Sequence, residues 1–258
     1  MNFTVNGEHE RDPQGDDDVR SVWLRPRRIG RGEPPLTLAR IVDEAVALLD
    51  DEGIDRLTMR RLADRLKVSA GSLYWHVDTK DDVIDLAVDA IFGEAPPAAD
   101  PADRREDGGP AEHWRADVTA VLTAWRAAIL RHPWAVALPA RRRPSIGPNF
   151  LAWMEFLQAT LVRAGFTERH LFAATWALYN HVMGSTASQS SLQLSDSERR
   201  TGHRQLQADR DRYPTLAAHG YLFDDDWDGS FTTGLRYLLD GLEAQTPTRP
   251  TDPSPPGA

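Results

Sequence analysis

The stretch LTMRRLADRLKVSAGSLYWHVDTK, Leu57 to Lys80, constrains this chain more than any other. It holds two short amphipathic segments joined by a tight break. The second is about two turns long and carries Tyr74, Trp75 and His76 in succession. Three successive helical positions sweep about 200° around the axis, so the three cannot share one inner face. Leu73 and Val77 already claim that face, so part of the aromatic cluster points at something outside the domain. Between Arg56 and Lys80 lie six basic residues (Arg56, Arg60, Arg61, Arg65, Lys67, Lys80) and two acids (Asp64, Asp78). A basic island in a chain of net charge −9 points to a polyanionic partner.

Helical periodicity predicts an all-α protein, with no segment of strand period and no internal repeat. Thr37 caps a first helix whose inner face is Ile41, Ala45, Leu48 and Leu49, and Gly53 ends it as an αL residue. Thr58 caps the second helix, with Leu62 and Leu66 inward. Ser69 caps the third. Thr79-Lys80-Asp81-Asp82 has the form of a capping box, Asp replacing Glu, and opens a fourth helix with Val83, Leu86 and Ala87 inward. Residues 1–35 read as a disordered N-terminus ending in a basic arm, where Arg20–Pro35 carries five Arg against Glu33; a merely solvated linker is the alternative. Residues 36–93 read as a three-helix DNA-binding domain with the fourth helix attached. Residues 94–110 read as a Pro/Gly-rich linker, 111–245 as a second helical domain and 246–258 as a disordered tail.

Two helices separated by a short turn, the second brief, fit a helix-turn-helix. Its second helix enters the DNA major groove. Ala70, Gly71 and Ser72 are small enough for close approach. Thr58 and Arg60 sit at a helix N-terminus, whose free N–H groups favour phosphate. Lys80 reaches a phosphate from the start of the next helix. Each residue also has a purely structural alternative: Tyr74 as a core edge, Trp75 packed on the fourth helix, His76 as a core histidine, Lys80 as a solvated cap. Residues 36–93 hold seven Lys or Arg against twelve Asp or Glu, so this domain is acidic as a whole. Arg25, Arg27, Arg28 and Arg31 of the arm are therefore expected to add phosphate or minor-groove contacts.

Leu57-Thr58-Met59-Arg60-Arg61-Leu62-Ala63, then Val68-Ser69-Ala70-Gly71-Ser72-Leu73-Tyr74-Trp75-His76-Val77 and Lys80, resemble the N-terminal domain of TetR-family transcriptional regulators. The resemblance covers roughly residues 36–91. It implies that Thr58, Tyr74 and Lys80 hold phosphates. It implies too that Arg60, Ala70, Gly71, Ser72, Trp75 and His76 approach bases or backbone. Two positions depart from the family. Lys67 stands at an αL-prone turn where the family usually has Gly, at a cost of about 1 kcal/mol. Ala70 offers no hydrogen-bonding group.

The second half carries Trp114, Trp125, Trp134, Trp153 and Trp176, which fill core or wall an apolar pocket. It resembles, more weakly, the C-terminal domain of the tetracycline-repressor type. The positions that would hold a metal-bound drug there correspond to Val121, Leu157 and the His-free Ala137-Leu138-Pro139, so magnesium–tetracycline does not fit and no cofactor or metal is implied. The expected effector is a hydrophobic or aromatic molecule against Val121, Trp125, Trp153, Leu157, Phe172, Thr175 and Tyr179. Asn180 and His181 serve as polar anchors or as an interhelical hydrogen bond. Ala174, Leu178 and Val182 with Phe231, Leu235, Leu238 and Leu242 are expected to form the homodimer interface, with a symmetry suited to a palindromic operator.

Two other classes compete with a ligand-released repressor. One is an activator or a regulator that needs no ligand. The other is a helical enzyme or ligand carrier, against which stands the lack of a phosphate-binding Gly loop, H-E-x-x-H or G-x-S-x-G. Gly30-Arg31-Gly32 precedes no strand. Asp224-Asp225-Asp226 reads as the turn before a helix rather than a metal site. No apolar run approaches the ~20 residues of a membrane span. The polar N-terminus lacks an export core, and the absence of cysteine is compatible with the cytoplasm.

Overall fold

The computed structural model describes residues 36–94, 113–136, 146–220 and 225–245, together with Trp23 and Leu138. Among the described residues all regular structure is helical. The chain divides into two compact units. The first contains residues 36–90 and 146–150 of the described set, the second 91–94, 113–136, 138, 151–220 and 225–245.

In the first unit, α1 (Leu38–Glu52) begins where Thr37 Oγ1 accepts from the Arg40 N–H at 3.2 Å. Ile41, Ala45, Leu48 and Leu49 are buried along one face. Gly53 stops the helix with φ 78° and ψ 173°. The positive φ agrees with the sequence reading. The extended ψ does not: it places Gly53 outside αL, in a region that essentially only glycine tolerates. A 3-10 turn over Ile54–Arg56 follows.

Helix α2 (Met59–Leu66) is capped by Thr58, whose Oγ1 accepts from the Arg61 N–H at 3.1 Å. Lys67 ends it in the left-handed region, at φ 57° and ψ 41°. There the Lys67 N–H reaches the Asp64 carbonyl at 3.2 Å and the Val68 N–H the Ala63 carbonyl at 3.0 Å. These two bonds satisfy carbonyls the helix end would otherwise orphan. The turn thus holds its left-handed geometry without glycine.

Helix α3 (Ala70–Leu73) has four residues, shorter than the two turns expected. Past it the His76 N–H turns to the Leu73 carbonyl at 2.9 Å, a three-residue bond that leaves the α-helical register. Beyond that turn, the N–H groups of Asp78 and Thr79 donate to Asp82 Oδ2 at 3.1 and 2.9 Å. The Asp82 N–H returns a bond to Thr79 Oγ1 at 3.1 Å, completing the reciprocal box that opens α4 (Lys80–Gly93). Asp82 is wholly buried. Further along α4, the Asp89 carboxylate accepts from the N–H groups of Asn149 (3.3 Å) and Phe150 (2.9 Å) at the start of α6 (Pro148–Arg163). Asn149 Nδ2 adds a third bond at 3.1 Å. A Cβ on Gly147 would lie 2.1 Å from Asp89 Oδ1, so the close approach requires glycine there.

The second unit is built on α5 (Trp114–Arg131), most of α6, α7 (Glu168–Ser191), α8 (Asp196–Ala208), α9 (Pro214–Ala218) and α10 (Trp227–Glu243). Gly165, at φ 98°, ends α6. Helix α7 packs against both α5 and α10. Helix α8 opens with a complete Ser195–Glu198 capping box and buries no residue. Helix α9 follows Tyr213; Pro214 takes the first helical position, which suits its fixed φ. Helix α10 starts at Trp227, where the Asp226 carboxylate accepts the Gly229 N–H at 2.9 Å. Asp226 is therefore a helix cap.

The Arg126 guanidinium is buried, donates to Asp228 Oδ1 at 2.7 Å and to Gln189 Oε1, and lies over the Phe231 ring at 4.9 Å. His181 Nε2 meets the Phe231 carbonyl oxygen at 3.0 Å, and the two rings stack at 5.0 Å. His181 thus makes the interhelical hydrogen bond that the sequence left open.

Candidate DNA-binding surface and effector site

In the first unit, the side chains of α2, α3 and the turn after α3 divide between core and surface. Leu62, Ala63, Leu66, Leu73 and Val77 are buried. Tyr74 is 45 % exposed and Trp75 69 % exposed. Both rings are therefore open to a partner outside the domain. His76 is half-buried, and its Nε2 is enclosed without a hydrogen-bond partner among the described residues.

The small residues differ in what they leave open. Gly71 is exposed, and a Cβ there would meet only Ser69 Oγ, at 3.7 Å. Nothing within the chain demands glycine at that position. Ala70 and Ser72 are half-buried, and the Ser72 hydroxyl is shared with Ser69 Oγ at 2.9 Å. Thr58 is exposed; its oxygen accepts from Arg61, while its hydroxyl proton is left to donate outward.

The basic island is smaller than its composition implies. Arg61 makes a fork with Glu52, Nε to Oε2 and Nη2 to Oε1, both at 2.7 Å. Arg65 is held by Glu44 (2.5 Å) and Asp51 (2.9 Å). The hydrogen bond from Arg61 holds the Glu52 carboxyl below its ordinary range, and the nearby arginines reinforce this against the effect of burial. Acids of α1 are thus engaged with two of the island's own arginines. Lys80 Nζ donates to the Ile54 carbonyl at 3.1 Å, so it is tethered rather than extended. Arg60 is exposed and pairs with none of the described acids. Arg27, Arg28 and Arg31, with Arg25, lie outside the described residues.

In the second unit, Trp125 is the hub of an aromatic cluster. Its ring centroid lies 5.2 Å from Phe92, 6.0 Å from Trp153 and 5.2 Å from Tyr179. Tyr179 continues to Trp176 at 5.1 Å, and Trp176 to Phe172 at 6.1 Å. The rings form a ladder from the buried interior to the surface of α7. Val121 and Leu157, one turn from Trp125 and Trp153, are also buried. Burial pushes the Tyr179 phenol above its ordinary value, so it stays neutral at physiological pH.

Not every expected effector residue joins this cluster. Phe172 is 67 % exposed. Asn180 is exposed on the same stripe of α7 as Phe172 and Trp176. Thr175 is buried, but its hydroxyl is spent on the Leu171 carbonyl of its own helix at 2.8 Å. Phe92, which the sequence reading missed, enters from the end of α4. Only the fold brings it beside Trp125, because the residues between them carry no pattern linking the two.

The residues expected at the dimer interface differ in burial. Ala174, Leu178, Val182, Phe231 and Leu235 are buried within the single chain, in the packing of α7 with its neighbours. A side chain without exposed surface has none to give to a second copy. Leu238 and Leu242 are partly exposed. The same two helices expose Phe172, Trp176 and Tyr237. The apolar residues on α7 and α10 thus lie on two faces, one buried within the chain and one exposed.

Comparison with known proteins agrees with both halves. The family described as "Bacterial regulatory proteins, tetR family" matches residues 41–87, and "Tetracyclin repressor-like, C-terminal domain" matches residues 108–246. An HTH-type transcriptional regulator of Saccharopolyspora erythraea is 43% identical over 226 residues, covering 87% of this chain and 92% of its own. The HTH-type transcriptional repressor DrrR1 of Streptomyces coeruleorubidus is 34% identical, covering 91% and 87%. Among solved structures, the Streptomyces coelicolor TetR family protein ActR in complex with actinorhodin superposes with a TM-score of 0.70 at 29% identity, covering 82% of this chain and 98% of that one. No helix among the described residues is long and apolar enough to cross a membrane. The exposed aromatic head on a helix-turn-helix, the helical second unit and these relatives lead to one conclusion: the chain belongs to the TetR family of DNA-binding transcriptional regulators, and it is not an enzyme.

Proposed function

We propose that this regulator is a repressor that binds a palindromic operator as a homodimer and is released by a hydrophobic aromatic effector. The observation that carries the effector class is the ring ladder around Trp125 in the second unit. DrrR1 is a repressor, and ActR is bound to actinorhodin; both favour a repressor with a small-molecule effector. On the DNA side, Trp75, Arg60 and the backbone at Gly71 meet the major groove. Thr58, Tyr74 and Lys80 hold phosphates, Lys80 after leaving the Ile54 carbonyl. Two recognition helices must then match successive major grooves about 34 Å apart. An effector that prefers a state with another spacing weakens DNA binding by its own preference, typically about 1–3 kcal/mol.

The dimer is formed by the exposed apolar residues of α7 and α10, Phe172, Trp176 and Tyr237. Arg27, Arg28 and Arg31 add phosphate contacts. A mobility shift on the DNA upstream of the protein's own gene tests the core of this reading, with Tyr74→Ala as control. A discrete complex that the variant fails to form, and that a hydrophobic aromatic compound dissolves, is the expected result. A complex insensitive to every such compound overturns the effector. Deleting residues 1–33 is expected to weaken binding and flatten its salt dependence. Unchanged affinity and slope remove the arm from the interface.

A further inference from the structure

We infer that the indole N–H of Trp125 is the hydrogen-bond anchor for a flat aromatic effector that carries a carbonyl oxygen. This rests on the proposal of an aromatic effector and specifies what else the molecule must have. Trp125 is 2 % exposed, and its Nε1 has no acceptor within hydrogen-bond distance among the described residues. Buried donors are nearly always paired, and one that is not calls for an explanation. The contrast lies 6.0 Å away: the Trp153 Nε1–H, in the same cluster, donates to the Phe92 carbonyl at 2.9 Å. The cluster therefore provides an acceptor for one indole and withholds it from the other.

The chemistry of the missing partner follows from its surroundings. An indole nitrogen only donates, so the partner must be an acceptor. The rings around Trp125, those of Phe92, Trp153 and Tyr179, are tilted to it by 52°, 42° and 55°. They offer π-faces and edges, which suit a flat aromatic body. Among the described residues no cationic side chain lies over the Trp125 or Trp153 ring, so a neutral carbonyl oxygen fits better than a carboxylate, whose buried charge would lack a partner. Trp125 would therefore separate carbonyl-bearing aromatics from plain hydrocarbons of the same shape. An unmet donor rejects the ligand that leaves it unpaired.

The matched probes are 9-fluorenone and fluorene, flat tricyclic molecules that differ by a carbonyl in place of a methylene. Their affinities for the full-length protein and for Trp125→Phe are measured by equilibrium dialysis. The wild-type protein is expected to bind fluorenone roughly five- to tenfold more tightly than fluorene, the value of one buried hydrogen bond. Trp125→Phe keeps a ring and removes the N–H. It is expected to bind both probes more weakly through the smaller ring, and fluorenone no better than fluorene. If both probes bind the wild-type protein equally, or if the variant keeps the ketone preference, the anchor is overturned while the aromatic effector stands. If neither probe binds, the aromatic effector falls and the anchor with it. The wild-type ratio decides the matter even if the variant fails to fold.

Discussion

The Arg61 guanidinium grips the Glu52 carboxylate through two parallel 2.7 Å hydrogen bonds, joining α2 to the end of α1. One cation of the basic island is thereby neutralised by the first unit itself. Glu52→Gln is expected to release Arg61, strengthen DNA binding several-fold and steepen the salt dependence by about one phosphate contact. Fluorescence anisotropy across a salt series reads both. The pH dependence has a definite sign. Arg61 holds the folded Glu52 carboxyl below its usual value of 4.5. The pair therefore contributes stability above that value and loses it as pH falls through the lower, folded one. Stability of the wild-type protein relative to Glu52→Gln should shrink across that acidic window and be level at neutral pH.

Trp75 and Leu73 stand two residues apart and should respond in opposite ways. Trp75→Ala removes an exposed side chain and should change stability by no more than about 0.5 kcal/mol. Operator affinity should nonetheless fall at least tenfold. Leu73→Ala empties a wholly buried site and should cost about 2–5 kcal/mol. Urea unfolding beside a DNA titration separates the two effects.

Asp82 accepts two backbone N–H groups from inside the protein. Asp82→Ala should cost about 1–2 kcal/mol through loss of the cap. It should also loosen the turn that places Lys80, so DNA affinity should fall along with thermal stability. A fall in melting temperature with unaltered operator affinity would show that Lys80 is placed by other means.

Lys67 holds a left-handed conformation at φ 57°. Lys67→Gly relieves about 1 kcal/mol of strain there, partly offset by the greater freedom of glycine in the unfolded chain. The net expectation is a gain of a few tenths of a kcal/mol. Differential scanning calorimetry checks it, and a clear loss of stability would show that the Lys67 side chain contributes packing that outweighs the strain.

The helix caps show how local signals become legible. Thr37, Thr58, Ser69 and the Thr79–Asp82 box act on backbone groups within three residues of themselves, so short-range sequence was enough to find them. The length of α3 was not legible in the same way, since it depends on which carbonyl the His76 N–H chooses. The effector residues were legible only in part. Trp125 and Trp153 were identifiable as apolar positions in helical register, but Phe92 was not, and Phe172 proved exposed.

What the sequence by itself determined is the all-helical class, the helix-turn-helix with its outward aromatic residues, and the family. Each rests on spacing or capping within a few residues, where the backbone geometry leaves little choice. Tertiary structure decided which cations remain for phosphate, which apolar residues of α7 and α10 stay exposed, and which indole lacks an acceptor. Those outcomes depend on partners far apart in the chain, Glu52 for Arg61 and Phe92 for Trp125 and Trp153. A helical face specifies that a side chain is buried, and the packing of distant helices specifies against what.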